Sequence, residues 1–366
     1  MSEPCAKANA GSDRRGISAI PTSLPRWPLR SPTAYGTSVL LAERFRPTPT
    51  QYLRITQVAL VALCAIIVTG AGVRLTGSGL GCSDWPLCEE GELVAALEFH
   101  PMVEFVNRLI TGLVSVAVIA AVLGSLRRIP KRRDLTRWSW GLVLGVVAQI
   151  IIGAFVTKTE LKYSVVAVHF LVSMVLVWAS VVLIIRSADT ELDDLLASGG
   201  DLSSRSKKRW TTEAKALVTL GTAVLISGAT VTSAGKHPGA RPDTYGVEHV
   251  VKRLPLDIGS VVRIHSLLVW ALCAVTVLIV LRLRTRGPAA MKAATELLVV
   301  IVAQGGLGYI QYFSGVPALM VAFHVAGSIL VWVMTLRLAF ATASLPATVD
   351  RTATDPRVRP SPTAGR

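Results

Sequence analysis

The sequence predicts an all-α integral membrane protein, with eight transmembrane helices arranged as two tandem, pseudo-symmetric four-helix bundles. Three observations carry that prediction. First, 51% of the 366 residues are hydrophobic and only 17% are charged, against roughly 25% charged in an ordinary soluble domain, and the mean hydropathy is +0.53. Second, eight apolar segments are each long enough to cross a bilayer, which takes about 20 residues. Third, the second half of the chain repeats the polar landmarks of the first. A soluble α/β enzyme, a disulfide-rich secreted domain and a disordered chain are all disfavoured by this composition.

The apolar segments run over 54–73, 102–125, 138–156, 164–185, 213–232, 260–281, 290–312 and 318–340. They read as helices, because lipid offers no partner to an unpaired backbone group and none shows the alternation of a barrel strand. Charge gives the orientation. Counted with the span ends that adjoin them (1–54, 127–137, 186–215, 282–296 and 337–366), the two tails and the connections after the second, fourth and sixth spans hold 29 of the 38 basic residues, a net +16, whereas the opposite segments (74–98, 158–163 and 236–263) sum to −1. Basic loops stay inside, so the termini are expected in the cytoplasm of a cell whose plasma membrane holds the protein. The overall +15 therefore records topology, and its dispersal over the inner loops argues against nucleic-acid binding. Residues 1–53 and 341–366, rich in Pro, Ser, Thr and Arg, read as disordered cytoplasmic tails. Residues 54–186 and 213–340 read as the two bundles, and 187–212 as a cytoplasmic linker.

The first bundle opens on a span ending Thr69-Gly70-Ala71-Gly72-Val73. The loop after it, from Arg74 to Cys88, is shaped by Gly77, Gly79, Gly81 and Pro86. It faces the oxidising side, where Cys82 and Cys88 either close a disulfide or remain two thiols. The second span carries Glu104, Asn107 and Arg108, with His100 just before Pro101 at its outer entrance. His100, Glu104 and Asn107 share one helix face. Glu104 either pairs with Arg108 at i+4 or serves as an acid or base beside a reactive substrate. His100 either reaches a bound group or is a surface residue. The third span contributes Gln149 and Gly153, and the fourth His169, 20 residues beyond Gln149.

The second bundle repeats this order. The fifth span carries Ser227-Gly228, the sixth His265, the seventh Gln304 and Gly308, and the eighth His324, again 20 residues beyond its glutamine. Small residues in the odd spans let neighbouring helices approach. Cys64 and Cys273 lie in spans and read as inert packing. His169, His265 and His324 each fall five to seven residues inside the outer boundary, roughly 8–10 Å deep at 1.5 Å per residue. Intramembrane imidazoles are costly and usually functional. A pair at one depth on facing helices, His265 and His324, suits axial ligation of haem iron, the alternative being a helix-to-helix hydrogen bond by each. His169 matches His324, but Asn107 stands where His265 would be matched, and Asn is a poor iron ligand. A bis-His site is closed and suits electron transfer; a site with one weak position is open and suits chemistry.

These residues resemble the haem A synthase family. The resemblance rests on Gly70, Val73-Arg74, Thr76-Gly77-Ser78-Gly79, Gly81-Cys82, Trp85-Pro86 and Cys88, then Glu104, Asn107-Arg108 and the histidines of the fourth, sixth and eighth spans, and it covers about residues 54–340. It implies oxidation of the porphyrin C8 methyl of haem O to the formyl of haem A, by successive hydroxylations, for terminal oxidase assembly. It implies haem b held by His265 and His324, with Arg108, Gln149 and Gln304 as further cofactor-binding groups. It places the substrate haem in the first half near Glu104, His169 and Asn107. It also implies a redox or haem-transfer role for Cys82 and Cys88, delivery of haem O by haem O synthase, an electron donor, a bilayer setting, and a fold compatible with a homo-oligomer. Many relatives carry a histidine at the place of Asn107. His169 is therefore expected to be the remaining axial ligand there, with water or His100 opposite.

Three other functions fit the sequence less well. A dihaem electron carrier needs two complete His pairs, and Asn107 breaks one. A prenyltransferase needs Asp-rich motifs for Mg²⁺ and pyrophosphate, and the spans hold none. A transporter predicts broken helices at the midplane, whereas the polar residues here cluster near one face.

Overall fold

A computed structural model of the chain describes residues 46–82, 85–86, 88, 94–198, 210–240, 251–283 and 288–343. The tails expected to be disordered fall mostly on 1–45 and 344–366, outside the described residues; so does Cys5. Eight long helices follow one another: α1 Pro49–Leu75, α2 Phe99–Arg127, α3 Arg133–Lys158, α4 Tyr163–Ser187, α5 Thr212–Ala234, α6 Ile258–Leu283, α7 Pro288–Phe313 and α8 Ala318–Ala343. All eight contain windows long and apolar enough to cross a membrane, and the protein is a multi-pass membrane protein. Large apolar side chains such as Val61, Leu113 and Leu144 are exposed on the helix surfaces, as lipid-facing positions require.

The helices overrun most of the predicted spans at one or both ends, because polar residues cap them beyond the apolar stretch. Thr48 and Gln51 form a reciprocal capping box before α1, with Pro49 in the first turn. Thr211 accepts from Ala214 N at 3.1 Å before α5. Asp257 accepts from Ser260 N at 2.8 Å before α6, and those Ser260 contacts hold its carboxyl below the usual carboxylate range.

Each half is a closed ring. In the first, α1 packs on α2, α2 on α3, α3 on α4 and α4 on α1; in the second, α5, α6, α7 and α8 repeat the cycle. The first core is built on Tyr52, Leu63, Val118, Leu135, Leu142 and Leu183. The second is built on Leu217, Leu272, Ala294, Leu297, Leu338 and Ala339. The halves meet through α8 against α1 and α4, and through α4 against α5. There Trp332 Nε1 donates to the Met174 carbonyl at 3.0 Å inside the interface. A Cβ on Gly221 would lie 3.0 Å from that indole, so this close approach needs a glycine.

The repeat extends to backbone detail. The α3–α4 turn closes with Leu161 N donating to Val156 O at 2.9 Å, and the α7–α8 turn with Val316 N donating to Gln311 O at the same 2.9 Å. Glu160 (φ 51°) and Leu161 (φ 58°) match Gly315 (φ 79°) and Val316 (φ 63°). Left-handed backbone is rare for branched residues, and both halves adopt it at the same place.

At the end of the bundle that carries the tails, the stretch expected to be a plain linker contains a short helix, Thr190–Ala197, capped by Asp189. Its Asp193 is buried between Arg128 and Arg132 of the α2–α3 turn. Arg132 also makes a two-pronged bond to Asp134, at 2.9 Å for each prong. Burial works against the Arg132 charge, but the two carboxylates outweigh it and raise its pKa.

Candidate functional site

At the opposite end, Glu104, Asn107, His169, His265 and His324 lie within about two turns of the starts of α2, α4, α6 and α8, and Thr69, Gln149, Ser227 and Gln304 lie in the last three turns of α1, α3, α5 and α7. In the second half, His265 on α6 places Nδ1 2.9 Å from Ser227 Oγ on α5. The Ser227 hydroxyl donates its proton to the Val224 carbonyl at 3.0 Å. Its lone pairs therefore face the ring, which bonds as Nδ1–H and leaves the Nε2 lone pair free for a metal. His324 on α8 is held through its backbone: Gln304 Nε2 on α7 donates to the His324 carbonyl at 2.7 Å. Each ring rests against a glycine. A Cβ on Gly228 would lie 3.2 Å from His265 Cε1, and one on Gly308 would lie 3.0 Å from His324 Cε1. His324 Nδ1 is buried without a hydrogen-bond partner among the described residues.

The first half reproduces this frame with one change. Thr69 on α1 takes the place of Ser227, and its hydroxyl donates to Asn107 Oδ1 at 2.8 Å. Asn107 thus occupies the counterpart of His265. Gln149 donates to the His169 carbonyl at 3.0 Å and also bonds Ser173 Oγ. A Cβ on Gly153 would meet His169 Cε1 at 3.7 Å, and His169 Nδ1 is buried without a partner among the described residues. The glutamines therefore grip the histidine-bearing helices by their backbone; neither one bonds an imidazole.

Glu104 is paired, as one of the two readings of the sequence expected. Its Oε1 accepts from Arg108 at 2.7 Å and its Oε2 from the backbone N–H of Cys82 at 3.0 Å. Arg108 in turn donates to the Pro86 carbonyl at 3.3 Å. Cys82 and Cys88 form a disulfide, with Cα atoms 4.4 Å apart, so Glu104 and Arg108 clamp the loop that the disulfide closes. His100, in the first turn of α2, holds the same loop: its Nδ1 lies 2.9 Å from Ser78 Oγ. A Cβ on Gly81 would sit 2.4 Å from the His100 carbonyl oxygen, so the loop needs a glycine there to lie on the start of α2. The two halves are also strapped together. Arg74 donates to the His237 and Thr232 carbonyls and Gly79 N to Gly239 O at 2.8 Å; within the second half, His237 bonds Val316 O at 2.9 Å.

Sequence reasoning placed the histidines, Asn107 and Glu104 but gave no role to the hydroxyls of Ser227 and Thr69. The signal was present, since each precedes a glycine at the same point of the repeat. Among the described residues no three His, Cys, Asp or Glu side chains cluster to hold a bare metal ion. The chemistry of the donors, two imidazoles backed by glycines, suits a flat macrocycle with axial ligation.

Comparison with known proteins agrees. The pattern of the cytochrome oxidase assembly protein family matches residues 53–98 and 92–336. Relatives named heme A synthase occur in Bacillus licheniformis, 30% identical over 125 residues (34% of this chain, 41% of the relative), and in Lysinibacillus sphaericus, 29% identical over 118 residues (32% and 38%). A third is in Geobacillus kaustophilus, 31% identical over 105 residues (28% and 32%). The chain spans at most about two fifths of the length of these curated relatives. Since the family pattern runs from α1 to α8 and takes in α4, α6 and α8, the three helices that carry the site histidines, the chain belongs to the cytochrome oxidase assembly protein family, that of the haem A synthases.

Proposed function

We propose that this protein is a haem A synthase, oxidising the C8 methyl of haem O to a formyl. The first half takes the substrate haem and the second half holds a resident haem b. The observation that supports this best is the unequal filling of equivalent positions: Ser227 holds His265, whereas Thr69 holds Asn107. The second half offers two imidazole ligands, His265 and His324, and fits a haem b. Such a haem supplies one-electron transfer when bound. Ser227 fixes the His265 tautomer, Gln304 sets the height of His324, and Gly228 and Gly308 leave the rings room.

In the first half His169 is the axial ligand of haem O, with Gln149 setting its helix. Glu104 and Arg108 hold the Cys82–Cys88 loop at the rim, close to the substrate. In this reading the site faces the outer, oxidising side of the plasma membrane, with both termini cytoplasmic. Haem O arrives from the enzyme that makes it, and an electron donor reaches the second half.

The test is expression in cells that make haem O but no haem A, followed by pigment extraction. New haem A in wild type and its loss in His169→Ala are expected. Unchanged haem O would mean an electron carrier instead.

A further inference from the structure

We propose that the first half holds its haem by a single protein nitrogen, that of His169, and leaves the opposite face for a small exogenous ligand hydrogen-bonded by the Asn107 amide. The inference rests on the first half being a haem site and deepens that reading. The repeat locates the opposite face. Asn107 is to His169 what His265 is to His324, by chain position and by its hydroxyl partner on the preceding helix.

The hydrogen bonds then decide what Asn107 can do. The shorter contact of Thr69 is the 2.8 Å bond to Asn107 Oδ1, against 3.2 Å to the Ile66 carbonyl. That engages the one atom of the side chain that could approach a metal. The Nδ2 amide has no partner among the described residues. It carries two N–H donors and no lone pair to offer a metal, so toward the iron it acts only through an acceptor atom that the iron itself holds. A diatomic or similarly small ligand has the required acceptor and size.

His100 does not close this face. It lies seven residues before Asn107, about 10 Å along the helix, and its ring is engaged by Ser78, which also bonds Thr76. Thr69 therefore holds a donor in the place where Ser227 holds a ligand.

Carbon monoxide is the probe. The full-length protein is purified, loaded with haem in both halves, reduced with dithionite and titrated with carbon monoxide. Wild type is expected to bind it on about half of its haem. Asn107→His is expected to lower that binding at least tenfold with haem content unchanged, and Asn107→Leu to keep it while shifting the C–O stretching frequency. Should Asn107→His lose the second-half spectrum as well, the Asn107→Leu shift carries the test.

Three results would overturn the proposal: carbon monoxide binding by Asn107→His equal to wild type, an unshifted stretch in Asn107→Leu, or wild-type binding that appears only after His100→Ala. The underlying reading fails separately, if His169→Ala leaves the haem content unchanged.

Discussion

The Glu104 carboxylate joins Cys82 to α2: one oxygen takes the Cys82 backbone N–H at 3.0 Å and the other takes Arg108 at 2.7 Å. Glu104 is 7% exposed, so each oxygen depends on these partners for what water no longer supplies. Glu104→Gln keeps an acceptor for Cys82 and loses the ion pair. Glu104→Ala loses both and frees the loop. Stability measured by thermal unfolding in detergent is expected to fall by about 1 kcal/mol for Gln and about 2–3 kcal/mol for Ala, less than for a fully buried pair because Arg108 remains partly hydrated. The Cys82–Cys88 disulfide is expected to be reduced and alkylated faster in Glu104→Ala alone. Equal rates in the two variants would show that the carboxylate does not hold the loop.

Ser227→Ala removes the acceptor that orients His265. Partners of metal-ligating imidazoles are worth about 10- to 100-fold in affinity. With the second half loaded with the haem b of the proposed function, haem transfer from the purified protein to apomyoglobin is expected to speed up by at least about tenfold for that half. A rate equal to wild type would remove Ser227 from the site.

The glycines beside the rings predict an asymmetry. A Cβ on Gly308 would stand 3.0 Å from His324 Cε1, whereas one on Gly153 would stand 3.7 Å from His169 Cε1. The first distance demands that the ring move and the second is ordinary contact. In the proposed haem b site of the second half, Gly308→Ala is expected to change the optical spectrum of added haem, and Gly308→Val to prevent its binding. Gly153→Ala is expected to leave haem content and spectrum intact. Similar behaviour of the two alanine variants would contradict the packing.

The spans were legible because lipid imposes length and hydropathy on a helix regardless of its neighbours. The histidines stood out because an imidazole at a shared depth is rare, and Asn107 because the repeat gave it a counterpart. Glu104 was legible only as a choice between two roles, since i+4 spacing shows that Arg108 can reach it but not that Cys82 does. Ser227 and Thr69 were hidden for another reason. Hydroxyls in apolar helices commonly bond a preceding carbonyl, as Ser115 and Thr222 do here, and only the neighbouring helix shows which ones also hold a partner. Asp193 is the extreme case. The linker carries several acids and bases, and tertiary packing alone selects the one that folds back.

That selection gives the last prediction. Arg128 is fully buried, its guanidinium 5.7 Å from the Tyr52 ring centroid, and Asp193 is its carboxylate partner. Among the described residues its Nε and Nη1 have no hydrogen-bond partner, so its charge depends on Asp193 more than that of Arg132 does, which retains Asp134. Asp193→Ala strands a buried cation and is expected to destabilise the first half by about 3–5 kcal/mol, whereas replacing both members of such a pair by apolar residues is often neutral. Asp193→Leu combined with Arg128→Met is therefore expected to recover most of the loss in thermal unfolding. Burial also shields the pair from salt, so the difference between Asp193→Ala and wild type should change little between 0.1 and 1 M NaCl, both being conditions of the experiment. A double variant no more stable than Asp193→Ala would show that the linker helix is held by its apolar contacts and that the ion pair is incidental to it.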